Sequence, residues 1–85
     1  MVRVRLFANF RERVGKGEVF LEAKNVRELL KKLVESYPTL RDLVFEGDTV
    51  KDYVRVAVNG RIVEDLSIEL SEEDEVAVFP PFSGG

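Results

Sequence analysis

The sequence contains no cysteine and no histidine, and it also lacks tryptophan and glutamine. Without cysteine there is no thiolate nucleophile, no disulfide and no thiolate-based zinc site. Without histidine there is no triad base and no ordinary imidazole ligand for a metal, so no metal-ligating residue set is nominated. The side chain whose ordinary pKa lies between about 5 and 8 is also missing, so no titrating switch of the chain's own is expected there. Neither GxxxxGK[ST] nor GxGxxG occurs, and the chain carries no phosphate loop. No apolar run approaches the roughly 18 residues of a membrane span. Met1-Val2-Arg3-Val4-Arg5 has no apolar core of a signal peptide, so a cytoplasmic protein with no membrane role is expected.

What is present suits one compact domain. The chain has 85 residues, 45% hydrophobic and 34% charged, with a net charge of −3 and no block of lysine and arginine. A nucleic-acid partner is not expected from that balance. A chain of this size buries only about 60% of its unfolded surface, which leaves no room for a deep catalytic cleft beside a core. Chemistry here must use carboxylates, hydroxyls, amines or the C-terminal carboxyl.

Alternation at Val2 to Phe7 predicts a half-buried strand, with Val2, Val4 and Leu6 inward and Arg3, Arg5 and Phe7 outward. Asn9 to Gly15 predicts one or two helical turns, with Asn9 as N-cap, Glu12 as its reciprocal partner and Gly15 as the stop. Glu18 to Glu22 reads as a strand paired with the first. Val26, Leu29, Leu30, Leu33, Val34 and Tyr37 form one helical stripe, with Asn25 and Glu28 as a capping pair and Pro38 as terminator. Leu40 to Val44 suggests a short turn, and Glu46-Gly47-Asp48 a loop. Tyr53 to Asn59 predicts a strand, Asn59-Gly60 a two-residue type I′ hairpin turn, and Arg61 to Val63 its return. Leu66, Ile68 and Leu70 read as core contacts from a connection, and Glu75 to Phe79 as the last strand.

One main helix packed across one face of a mixed sheet, with strands at both ends, is an α+β arrangement of the ubiquitin-like β-grasp kind. The expected division is a domain over 1–79 and a flexible tail over 80–85. Strand parity then sorts the faces. Hairpin register places Val56 opposite Val63 and Ala57 opposite Ile62. Val76 and Val78 point inward, leaving Phe79 outward. Phe7, Ile62 and Phe79 thus stand on the face away from the helix. They read either as ordinary exposed apolar residues or as a docking patch beside the tail, with Arg3, Arg5 and Arg55 on the same face.

The tail Pro80-Pro81-Phe82-Ser83-Gly84-Gly85 ends in a pair that arises by chance in roughly one chain in 200, given about 7% glycine usage. Two prolines fix φ at about −65° and hold the base extended. Six extended residues reach about 20 Å, enough to carry a carboxylate into another protein's active site. Glycines at the end pass a narrow channel and leave the carbonyl unhindered. A carboxylate must be activated before it can be attacked, and with no ATP site here the activation must come from a partner.

Leu6-Phe7-Ala8 with Arg11-Glu12 and Gly15, Val58-Asn59-Gly60, and Asp74-Glu75-Val76 leading to Phe79-Pro80-Pro81-Phe82-Ser83-Gly84-Gly85 resemble the small subunit of molybdopterin synthase. This is the MoaD family of ubiquitin-like sulfur carriers. The resemblance spans the chain, and the FPPxSGG ending is its most specific part. It implies a non-enzymatic carrier within a transferase, a heterotetrameric synthase. An adenylyltransferase related to ubiquitin-activating enzymes uses ATP and Mg to adenylate Gly85. A sulfur donor then makes the thiocarboxylate, and the large synthase subunit passes the sulfur to a cyclic pyranopterin phosphate for the molybdopterin dithiolene. The carrier itself binds no cofactor. The resemblance further implies docking through Phe7, Ile62 and Phe79, with Pro80, Pro81, Phe82, Ser83 and Gly84 threading the partner. The family often has Gly-Asp before the last strand; Glu73-Asp74 here leaves that turn open. Related alternatives are a carrier for thiamin thiazole or tRNA thiolation, a ubiquitin-like modifier joined to lysines, and an inert interaction module.

Overall fold

The protein is represented by a computed structural model that describes residues 1–52 and 54–81. Along it run β1 (Val2–Leu6), α1 (Ala8–Val14), β2 (Glu18–Leu21) and α2 (Val26–Ser36). A 3-10 turn at Pro38–Leu40 leads into α3 (Arg41–Val44), β3 (Phe45–Glu46) and β4 (Thr49–Val50). The chain closes with β5 (Arg55–Val58), β6 (Arg61–Val63) and β7 (Glu75–Phe79). The main sheet has five strands in the order β2-β1-β7-β5-β6. Its β1–β7 pair is parallel and the other pairs are antiparallel, so the sheet is mixed and the first and last strands of the chain lie side by side within it.

The sheet faces follow the expected alternation. Val2, Val4, Leu6, Val19, Val56, Val76 and Val78 are buried against Val26, Leu29, Leu30, Leu33 and Val34 of α2. The α2 stripe is the driving element, because burying each such side chain contributes about 1.5–3 kcal/mol. Asn25 Oδ1 accepts the Glu28 N–H at 2.8 Å, as the capping pair predicts. The reciprocal bond from Glu28 reaches the Lys24 N–H at 3.4 Å rather than that of Asn25. The first turn of a helix leaves amides without partners inside the helix, and two of these are met by the connection before β7. Val26 N–H donates to Ile68 O at 3.2 Å and Arg27 N–H to Leu66 O at 2.9 Å. Leu66, Ile68 and Leu70 of that connection pack on the core, half-buried.

Three expectations change. The cap of α1 is Phe7, whose extended backbone (φ −129°) places its carbonyl to accept from Phe10 and Arg11, at 3.1 and 3.4 Å. Asn9 lies within the helix and does not cap it. The loop at Glu46-Gly47-Asp48 is the turn of a small separate ribbon, with Phe45 opposite Val50 and Glu46 opposite Thr49. The strand expected from Tyr53 begins at Arg55, and Tyr53 lies outside the described residues. Elsewhere Gly15 ends α1 with φ 82°, a conformation open to a residue without a Cβ. Asn59 and Gly60 have φ 50° and 85°. These are the two positive values that a type I′ turn requires. The resulting register is Val56 with Val63, Ala57 with Ile62 and Val58 with Arg61.

Candidate functional site

The candidate site is the sheet face opposite α2, at the corner where β7 ends. Parity delivers Phe7, Ile62 and Phe79 there, and pairing fixes their spacing. Phe7 follows β1 and Phe79 ends β7, so the parallel pair brings them to one corner. Their rings meet edge to face, centroids 6.5 Å apart and planes at 86°. Such a contact is worth about 0.5–1.5 kcal/mol beyond the area buried. Phe7 stays 39% exposed and Phe79 is half-buried. Ile62, 62% exposed, stands apart on the edge strand β6. Between it and β1 run Ala57 and Ala77, directly paired, so the row Glu18–Arg5–Ala77–Ala57–Ile62 has a low floor of two small residues. A rigid apolar partner could lie along that floor.

Charge on this face is mostly paired. Arg3 meets Glu18 and, at 3.5 Å, Glu75; Arg5 meets Glu75 at 3.6 Å. Exposed pairs of this kind add little stability, but they leave few unmet charges beside the aromatic corner. The Arg5 guanidinium carbon also lies 5.5 Å from the Phe7 ring centroid. Arg55, opposite Phe79 in the register, donates to the Asp52 carbonyl. A groove of about 400 Å³ lined by Val54, Arg55, Ile62 and Leu66 borders the same edge.

Two local devices hold the frame. Directly after Phe7, Ala8 takes φ 53°. This left-handed conformation costs a non-glycine residue about 1–2 kcal/mol. It turns the chain from β1 into α1 within one residue, while the Phe7 N–H still donates to Val78 O at 3.2 Å. At the other end of β7, Asn59 Nδ2 donates to Asp74 Oδ1 at 2.9 Å and the Glu75 N–H donates to Asn59 Oδ1 at 3.0 Å. Asp74 Oδ2 also accepts the Ser71 N–H at 2.8 Å. That amide first, and Asn59 second, hold the Asp74 carboxyl below its ordinary pKa. The turn left open at Glu73-Asp74 is thus closed by Asp74 itself, with Asp74 N–H donating to Ser71 O at 3.1 Å.

Of the remaining expected site residues, Pro80 and Pro81 are half-buried where the chain leaves β7. Phe82, Ser83, Gly84 and Gly85 lie outside the described residues. Phe20 was not singled out by the sequence, yet it is 54% exposed on the same outer face, opposite Arg3 on β2. Val19-Phe20-Leu21 are all apolar, so alternation alone does not say which points out; only the register with β1 does. Among the described residues no group of three or more acidic side chains is placed to hold a metal ion, and no helix is long and apolar enough to cross a membrane.

A mixed sheet with one helix packed across it, and strands from both ends of the chain paired within it, defines a ubiquitin-like β-grasp protein. Residues 4–85 match the ThiS family, and the chain belongs to that family: it is a ubiquitin-like sulfur carrier of the ThiS/MoaD type. It is 34% identical to small archaeal modifier protein 3 of Haloferax volcanii, over 99% of this chain and 98% of that one. It is 30% identical to the molybdopterin synthase sulfur carrier subunit of Dictyostelium discoideum, over 98% of this chain and 94% of that one. The solution structure of small archaeal modifier protein 1 from Methanosarcina acetivorans superposes with a TM-score of 0.89 at 35% identity. That match covers 99% of this chain and 95% of the other.

Proposed function

We propose that this protein is the sulfur-carrying small subunit of a molybdopterin synthase, with the Gly85 carboxyl as its working group. In this reading an ATP- and Mg-using adenylyltransferase forms the acyl-adenylate. The carboxylate oxygen attacks the α-phosphorus and pyrophosphate leaves. Hydrosulfide released from a sulfur donor then displaces AMP, loses its proton and yields the thiocarboxylate with no change of oxidation state. Residues 80–85 thread into the large subunit, which supplies the acids and bases for transfer to a cyclic pyranopterin phosphate. This division of labour fits a chain without cysteine or histidine. The carrying observation is the contact of Phe7 with Phe79, which sets an exposed aromatic corner at the base of the Pro80-Pro81 exit. A partner gripping that corner receives the tail at a fixed distance from it.

Gly85 position tests the reading. Extending the chain by one alanine, or deleting Gly85, should abolish sulfur transfer to the large subunit while the denaturation midpoint stays that of the parent. Near-normal transfer by the extended variant would remove the tail from the mechanism.

A second reading has its own support in the likeness to small archaeal modifier proteins. The same activated carboxyl, attacked by a lysine amine instead of a sulfur nucleophile, would leave this chain joined to other proteins. An isopeptide bond from the Gly85 carboxyl to lysines of cellular proteins, seen as a remnant ending in Ser83-Gly84-Gly85, would mark that role, and its absence would exclude it under the conditions of growth.

A further inference from the structure

The aromatic corner is held from one side by a short series of contacts. Glu75 Oε1 lies 3.6 Å from an Arg5 guanidinium nitrogen, Arg5 lies over the Phe7 ring at 5.5 Å, and Phe7 meets Phe79 edge to face at 6.5 Å. The series starts at the first residue of β7 and returns to its last, by way of β1. Each member is partly open to solvent, so none of these contacts is needed to bury the core. Their common product is the orientation of two rings at the tail's base.

We propose that Arg5 is a positioning residue for partner docking: its guanidinium, tethered by Glu75, fixes Phe7 and through it the Phe79 ring beside the Pro80-Pro81 exit. The proposal rests on the reading that Phe7 and Phe79 dock a partner. An exposed phenylalanine changes rotamer within picoseconds to nanoseconds when nothing restrains it. Immobilising such a side chain during binding lowers affinity by about two- to tenfold. A guanidinium over the ring face imposes that restraint before the partner arrives. It leaves the rest of Phe7, 39% exposed, for contact. Arginine suits the task better than lysine because a planar group stacks on a ring while its outer nitrogens still reach a carboxylate.

Arg5 could instead touch an acid on the partner directly, and a cycle of variants separates the two roles. The full chain would be titrated with the adenylyltransferase of its own cell, in the wild type, Arg5→Ala, Phe7→Ala and the double variant. Arg5→Ala should weaken binding about two- to fivefold, the size of an exposed cation–π contact. It should shift the Phe79 ring-proton resonances of the free protein in the same direction as Phe7→Ala. In the Phe7→Ala background, Arg5→Ala should cost nothing further, and Arg5→Lys should restore only part of the loss. An equal loss in both backgrounds, or unshifted Phe79 resonances, overturns the positioning role while leaving the docking corner intact. Unchanged affinity in Phe7→Ala overturns the docking reading, and this proposal with it.

Discussion

The two faces of the main sheet are made from the same strands, one residue in two to each, and they differ almost completely. The α2 side holds valines and leucines with essentially no exposure. The opposite side holds Arg3, Arg5, Glu18 and Glu75 in exposed ion pairs, two alanines, and exposed Phe7, Phe20 and Ile62, with Phe7 against a half-buried Phe79. A small domain has one core, and here the first face supplies it. The second face is therefore open to be shaped for a partner, at little cost to folding. Substitutions on the two faces should separate stability from binding.

The largest expected effect lies on the inner face. Leu30 is fully buried on α2. Leu30→Ala should destabilise the domain by about 2–5 kcal/mol, read as a lower denaturant midpoint. Affinity for a partner, per folded molecule, should not change. Next in size is Phe79→Ala on the outer face, with the reverse pattern. Losing the edge-to-face contact should cost the free domain about 1 kcal/mol. An aromatic anchor at the tail's base should contribute about 2 kcal/mol of partner affinity, roughly thirtyfold. Ile62→Ala, farther from the tail, should show the same pattern more weakly. Unfolding by Phe79→Ala with unchanged affinity would mean that the docking surface lies on the helix side.

A fourth substitution tests what joins the faces. Asn59 serves the β5–β6 turn through its positive φ and β7 through its side chain. Asn59→Gly keeps the first role and loses the second. Its expected cost of about 1–2 kcal/mol belongs to the two side-chain hydrogen bonds. A cost near zero would show that the Asp74 bracket is ornamental.

The smallest effect is a pH dependence. In the folded chain the Ser71 amide and Asn59 hold Asp74 below its ordinary pKa, so the unfolded chain takes up the proton first. The bracket's stabilisation is thus complete above about pH 4, the unfolded value, and is lost as pH falls through the lower folded pKa. Asp42, paired with Arg13, and Asp65, hydrogen-bonded by Ser67, are shifted in the same direction. Asp74→Asn should flatten the acid limb of the stability curve, leaving it unchanged near neutrality relative to its own plateau. An acid limb as steep as the parent's would remove Asp74 from the effect.

Much of this was legible in the sequence because local and global signals agreed. The α2 stripe, the Asn59-Gly60 turn and the alternation of β1, β5 and β7 fix both faces, and the outward placement of Phe7, Ile62 and Phe79 follows by parity. What was missed came from tertiary contacts. The α1 cap pattern pointed to Asn9, but the Phe7 amide is held by Val78 and the helix begins at Ala8 in a strained conformation that sequence rules reserve for glycine and asparagine. Strands of two residues, as in the β3–β4 ribbon, are too short to show alternation. The Phe7–Phe79 contact and the Arg5–Glu75 pair depend on the parallel pairing of β1 with β7, which brings together residues far apart in the chain.

The central claim is that the fold carries a reacting group at Gly85 and contributes no chemistry of its own. The most direct measurement is the intact mass, with fragmentation, of the full chain after incubation with its adenylyltransferase, ATP, Mg and a sulfur donor. The account predicts the gain of one oxygen-to-sulfur exchange, confined to Gly85 and absent without ATP. An unchanged mass in a mixture that makes molybdopterin once the large subunit and the cyclic pyranopterin phosphate are added, or sulfur found anywhere else in the chain, would contradict it.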